Sequence, residues 1–366
     1  MPEYPDILTV FAESKSRRFL ENLEGKTPIF VCTIATTETA KIPGISAAGK
    51  NPDFTDYTPP ADTEYLYYGR CRCIDGVPVT PDGIPTPALI TRSAANLSRI
   101  PMIVVDAGSR RKPQIPFFDL GGQPGADIRT GHAVGNAATV FERATIVGRN
   151  LAGASDYVVL GESIPGGTTT ALAVLLAMGF DARGKVSSSM PMNPHNLKLS
   201  VVRQAMDAAG IDEGGLKEKP LQAVSEVGDP TQAAIAGLAI GAAQETPTIL
   251  AGGTQMAAVL AIVNETDSSV MDNLCIGTTR WLAKDHDSDI VGLVRQVGDI
   301  PLMAANLDFG TSKHQGLRIY ETGIVKEGVG AGGMSISAML TTKGAVTGTS
   351  LREQIEEEYE RIVVNR

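Results

Sequence analysis

From about residue 90 the chain alternates two apolar patterns. Short runs that are apolar at most positions predict buried strands: PMIVVDAG (101–108), DYVVLGE (156–162), LQAVSEVG (221–228), TPTILAGG (246–253) and NLCIGT (273–278). Longer runs with helical periodicity lie among them: TPALITRSAANL (86–97), HAVGNAATVFERATIVGRNLAG (132–153), NLKLSVVRQAMDAAG (196–210), PTQAAIAGLAIGAAQ (230–244), TQMAAVLAIVN (254–264) and SDIVGLVRQVG (288–298). Strands that are apolar throughout, separated by helices of 10–15 residues, predict an α/β fold. Its doubly wound, mostly parallel sheet has helices on both faces.

The ends of the chain read differently. FAESKSRRFLENL (11–23) predicts a short amphipathic helix, TPIFVCTIA (27–35) a strand, and SLREQIEEEYERIVVNR (350–366) a charged helix outside the sheet. We expect residues 1–27 and 344–366 to form a small helical domain, and 28–343 a large Rossmann-like α/β domain. Residues 44–90, rich in Pro, Gly, Asp and Tyr, read as a long loop or arm over the active site or a subunit interface.

Composition narrows the function classes. The 366 residues are 43% hydrophobic, and no apolar run approaches the roughly 20 residues of a membrane helix. MPEYPDILTV lacks the features of a signal peptide, so a cytoplasmic protein is expected, with no membrane partner. A net charge of −9 argues against a nucleic-acid partner. Cys32, Cys71, Cys73 and Cys275 lack paired zinc-site spacing, and His132, His195, His286 and His314 are scattered, so no metal site is expected.

The 39 glycines exceed the usual ~7% of a chain and gather where strands end. In open α/β sheets that edge holds the ligand. GESIPGGTTT (161–170) comes close to a P-loop, but Gly167 stands where the phosphate-gripping lysine belongs. Gly166, Gly167, Thr168 and Thr169 can still present backbone N–H groups at a helix start, which suits one monophosphate. Glu162 at the strand end is placed for sugar hydroxyls. Lys198, early in a helix, is the candidate to supply the missing cation. GVGAGG (328–333) satisfies G-x-G-x-x-G, yet the chain ends before the rest of a dinucleotide fold could follow, so no NAD cofactor is expected. What remains is Glu327, a carboxylate just before a glycine-rich helix start.

At these residues the sequence resembles the nicotinate-nucleotide–dimethylbenzimidazole phosphoribosyltransferase family. Gly161-Glu162-Ser163-Ile164-Pro165-Gly166-Gly167-Thr168-Thr169 resembles the family's G-E-x-x-x-G-N-T-T, and Glu327-Gly328-Val329-Gly330-Ala331 its E-G-x-G-A. Lys198 through Met206 resembles its K-x-x-V-I-x-x-A-L helix, and the run from Val227 through Ala261 its G-G-x-E-I-A-A…P-V-V-L-D-G-F segment. The matches keep their order over roughly residues 90–340. This chain departs from the family at Gly167 (asparagine), at Gly252 (aspartate) and in TTETAKIPGISA (36–47), where Ser46 is the best match and an Asp-His pair is absent. The resemblance implies phosphoribosyl transfer from nicotinate mononucleotide to a benzimidazole-type base, giving an α-ribazole phosphate for the cobamide lower ligand. It implies a homodimer, no cofactor, Glu327 as general base, and substrate contacts at Glu162, Gly166, Gly167, Thr168, Thr169, Lys198, Gly252, Gly253, Gly328, Gly330 and Ser46. Transfer to a different base, or nucleotide binding without catalysis in a regulatory protein, stays open at this point.

Overall fold

The alternating pattern resolves into eight strands: β1 (Ile7–Phe11), β2 (Pro28–Ala35), β3 (Met102–Gly108), β4 (Phe118–Asp119), β5 (Tyr157–Ser163), β6 (Thr248–Ala251), β7 (Leu274–Thr279) and β8 (Leu302–Ala305). The structure is a computed structural model that describes residues 4–48, 51–79 and 84–364. The strands form one sheet in the order β1-β8-β7-β6-β5-β2-β3-β4. All pair in parallel except β1, which runs antiparallel to β8 and carries an irregularity between Thr9 and Phe11.

Fourteen α-helices accompany the sheet among the described residues. They are α1 (Glu13–Leu23), α2 (Thr58–Tyr68), α3 (Ala88–Ser98), α4 (Ala137–Ala152), α5 (Gly167–Ala177), α6 (His195–Ala209) and α7 (Pro220–Val227). After them come α8 (Pro230–Ala243), α9 (Gln255–Thr266), the single turn α10 (Arg280–Ala283), α11 (Ile290–Val297), the single turn α12 (Gln315–Arg318), α13 (Ala331–Thr341) and α14 (Gly348–Tyr359).

The period-2 geometry of a strand sends successive side chains to opposite faces. In β2, Phe30, Cys32 and Ile34 join one core cluster and Val31 and Ala35 the other; in β5, Tyr157 and Val159 oppose Val158 and Leu160. The first cluster is completed by α1, α2, α3, α13 and α14, and the second by α4 through α9 and α11. Both faces are therefore covered, which is why the inner strands read as continuous apolar runs. The N- and C-terminal segments meet, Gly348 N–H donating to the Asp6 carboxylate at 2.9 Å. Phe19 and Leu23 near one end and Leu351 and Ile355 near the other lie in the same cluster as Phe30 of the sheet.

Several elements differ from the sequence reading. LQAVSEVG is helix α7, not a strand: it buries Pro220, Ala223, Val224 and Val227 at helical spacing, and Pro220 opens it at a position where a missing N–H costs nothing. The strands β1 and β8 went unread because each is short and lies at or beside an edge. Residues 44–90 are more than a loop: they hold a 3-10 turn at Pro52–Tyr57 and the buried helix α2, whose prolines sit in the first turn, where they are tolerated.

The chain order reverses between β2 and β5. From β2 the chain moves outward through β3 and β4, then returns to β5 on the other side and continues to β8. Crevices at such switch points, outside the carboxyl ends of strands, are where α/β folds bind ligands.

Candidate active site

A cleft opens at that switch point, containing about 880 Å³ of space not filled by protein, its open mouth included. Glu162 and Ser163 come from the end of β5, Gly166 to Thr168 from the start of α5, and Glu327 and Gly328 from the approach to α13. The segment around α2 supplies Ile45, Ser46, Thr58, Asp62 and Ile84. Residues 44–90 thus wall the cleft, apart from 49–50 and 80–83, which lie outside the described residues.

The turn into α5 needs glycine. Gly166 has φ +82, and a Cβ there would come within 3.1 Å of the Ala40 backbone. The chain therefore turns sharply from β5 into the helix, with the helix start facing the cleft. Thr169 does not face it: its N–H closes the turn onto the Gly166 carbonyl at 2.9 Å and its side chain is fully buried. Thr168 stays partly exposed, and its hydroxyl accepts a hydrogen bond from Lys198 Nζ at 2.9 Å.

Lys198 is completely buried, with Nζ also donating to the Ser187 carbonyl at 2.5 Å. Burial, helped by the charge of nearby Lys326, lowers its pKa to about 7. Lys326 is itself paired with Asp285 at 2.8 Å. Neither lysine lines the cleft; Lys198 stands behind Thr168, at the start of α5.

Glu162 accepts from the Ile164 N–H at 2.9 Å and from Gln255 Nε2 at 3.2 Å. Burial raises its pKa to about 8, reinforced by the charges of Asp229, Glu327 and Asp62. Glu327 is partly buried and accepts from the Gly328 and Gly332 N–H groups and from Thr278 Oγ1, at 3.1 to 3.3 Å. Those bonds favour its ionised form, but burial outweighs them and its pKa is raised to about 7. A buried carboxyl with a pKa near neutrality is suited to accept a proton.

The loop between Glu327 and α13 approaches β5 closely. Gly330, at φ +73, has no room for a Cβ, which would lie 2.7 Å from the Phe30 ring. It packs against the sheet and does not line the cleft. Val329, a β-branched residue, is held at φ +54 with its N–H on the Glu162 carbonyl at 3.0 Å and its carbonyl on Thr91 Oγ1 at 2.8 Å. Gly253 lies beside the Glu327 Cβ, whereas Gly252 packs against Met256, away from the cleft wall. Ser46 lines the cleft and its Oγ accepts from the Ala48 N–H at 3.1 Å.

Two carboxylates escaped the sequence reading. Asp62, on α2, is 2% exposed yet lines the cleft, and no motif marks it. Asp229 caps α8 and accepts from Thr170 Oγ1 at 2.5 Å, bracing α5 from behind. Its D-P-T-Q spacing is a legible capping box. Among the described residues no group of three or more His, Cys, Asp and Glu is arranged to hold a metal ion, and no helix is long and apolar enough to cross a membrane.

The DBI_PRT phosphoribosyltransferase family matches residues 91–285 of the chain, over half its length. It belongs to that family. The matched span holds Glu162, Gly166, Thr168 and Lys198, while Glu327 and the segment around α2 fall outside it. Two UPF0284 proteins are similar over nearly the whole phosphoribosyltransferase. One, from Sulfolobus acidocaldarius, is 46% identical over 94% of this chain and 99% of its own. The other, from Methanothermobacter thermautotrophicus, is 44% identical over 93% and 95%. Two solved structures from Thermus thermophilus share the fold. CobT has a TM-score of 0.57 at 19% identity over 90% of each chain. A nicotinate-nucleotide–dimethylbenzimidazole phosphoribosyltransferase has a TM-score of 0.55 at 18% identity, over 90% of this chain and 89% of that one. The phosphoribosyltransferase thus joins the UPF0284 proteins as a divergent branch on a CobT-like fold.

Proposed function

We propose that the protein transfers the 5-phosphoribosyl group of nicotinate mononucleotide to a benzimidazole-type base, giving an α-ribazole phosphate. The observation that carries this reading is the grouping in one cleft of two carboxyls of near-neutral pKa, Glu162 and Glu327, with a lysine-backed helix start. The 5′-phosphate sits at Gly166–Thr168, where the N-terminus of α5 and Lys198 favour negative charge. Glu162 faces the ribose hydroxyls.

The acceptor's unprotonated ring nitrogen attacks C1′ from the face opposite the pyridinium, and the C1′–N bond to the pyridinium breaks. Nicotinate leaves with its ring nitrogen neutral and needs no acid. The acceptor's other nitrogen loses its proton to Glu327, which restores a neutral azole ring. Inversion at C1′ turns a β-nucleotide into an α-nucleotide.

The test is incubation with nicotinate mononucleotide and a panel of benzimidazoles, following nicotinate release and the new nucleotide by chromatography. Nicotinate release that requires a base supports the reading. Mononucleotide binding without turnover on any base points to the non-catalytic alternative.

A further inference from the structure

The transfer chemistry needs one base and one phosphate grip, and leaves a third carboxylate of the cleft without a task. Asp62 is carried by the segment that also supplies the aliphatic wall at Ile45, Ile84 and Pro87. Ser163 Oγ donates to its Oδ2 and Thr86 Oγ1 to its Oδ1, each at 2.7 Å. Each carboxylate oxygen has two lone pairs, so acceptor capacity remains on both. Among the described residues lining the cleft, three are carboxylates and none is a lysine, arginine, histidine or aromatic residue. A polar hydrogen on the bound base would meet an acceptor here, whereas a hydrocarbon edge would leave that capacity unused.

We infer that the acceptor base carries a second polar hydrogen, on a hydroxyl or amino substituent, and that Asp62 accepts it. The inference rests on the transfer reading above. Burial pushes the Asp62 pKa up to about 6, and the two hydroxyl donors hold it down. A charged acceptor makes the stronger hydrogen bond. Sites that hydrogen-bond a substrate group can reject the analogue lacking it by roughly 10⁴ or more. Here Ser163 and Thr86 already satisfy part of Asp62, so a preference of about tenfold to a hundredfold is expected.

The experiment compares benzimidazoles bearing a hydroxyl, amino or methyl group at one ring position. Dissociation constants come from calorimetry with the mononucleotide left out, and kcat/KM from nicotinate release with it present. The hydroxyl and amino bases should bind at least tenfold more tightly than the methyl base, and Asp62→Leu should erase or reverse that order. Asp62→Asn, which keeps volume and polarity but not charge, should narrow it and serves if the leucine variant does not fold. Equal affinity for hydroxyl and methyl bases in the unmodified protein, or a preference that survives Asp62→Leu, overturns the inference. Because binding is read without turnover, the two readings fail separately. A protein that selects the hydroxyl base yet releases no nicotinate upholds this inference and refutes transfer; turnover with no preference does the opposite.

Discussion

Val329 donates its N–H to the Glu162 carbonyl at 3.0 Å, so the loop that carries Glu327 is fastened to the strand end that carries Glu162. Two carboxyls remote in sequence are thereby held at a fixed spacing by backbone alone. Burial raises the pKa of both, and the charge of Glu327 adds to the rise at Glu162.

Glu327→Gln keeps shape and polarity but cannot take a proton. The turnover number should fall by about 10²–10⁴-fold while the mononucleotide dissociation constant changes little. Wild-type kcat should rise with pH through about 7 to 8, the span of the two raised values. That rising limb should flatten in the variant. Near wild-type turnover in Glu327→Gln removes Glu327 as the base.

Phosphate binding should be coupled to proton uptake at Lys198. Its pKa of about 7 leaves it mostly neutral at pH 8 in the free protein, and an adjacent phosphate favours the charged form. Calorimetric enthalpies at pH 8 should therefore differ between buffers of different ionisation enthalpy. Lys198→Met, which keeps the buried volume, should abolish that difference and weaken binding by about 1.5–3 kcal/mol. Unchanged affinity would take Lys198 out of the phosphate site.

Stability should pass through a minimum near pH 7–8. Asp62, Glu162 and Glu327 have raised folded pKa values of about 6, 8 and 7, so the folded state binds more protons than the unfolded from about pH 4 to 8. Stability then falls as pH rises across that window. Lys198 is lowered from 10.5 to about 7, so the folded state binds fewer protons between those values and stability climbs with pH. Urea unfolding at pH 5, 7.5 and 9.5 checks both limbs. Glu162→Gln should flatten the first and Lys198→Met the second.

Gly166→Ala should destabilise the protein by about 1–3 kcal/mol, since a side chain at φ +82 is strained and its Cβ would press on the Ala40 backbone. Because the same turn aims α5 at the cleft, mononucleotide affinity should fall as well. Thermal unfolding and calorimetry on one preparation measure both. A variant with wild-type melting and binding would show the turn tolerant of a side chain.

Much of this was legible in the chain. The strands β3, β5, β6 and β7 are buried on both faces, so their apolar runs are continuous and their ends carry the glycines that mark the cleft. Glu162 and Glu327 stand directly beside those glycines. Asp62 was hidden because its neighbours, TPPADTEYLYY, lack an amphipathic stripe: α2 is buried along most of its length, so no periodicity betrays it. The burial of Lys198 was equally invisible, since it depends on Thr168 and Ser187, elements distant in sequence that meet only in the fold.

The sheet's two margins have a consequence for how the protein behaves in a crowded solution. Unpaired strand edges are templates on which other chains assemble. Here one margin is β4, only two residues long, and the other is β1, reversed in direction and bent between Thr9 and Phe11. Neither offers a long straight ladder, which disfavours pairing with a strand of a neighbour. Removing β1 would bare β8 and the buried ladder behind it, and self-association would replace the lost pairing.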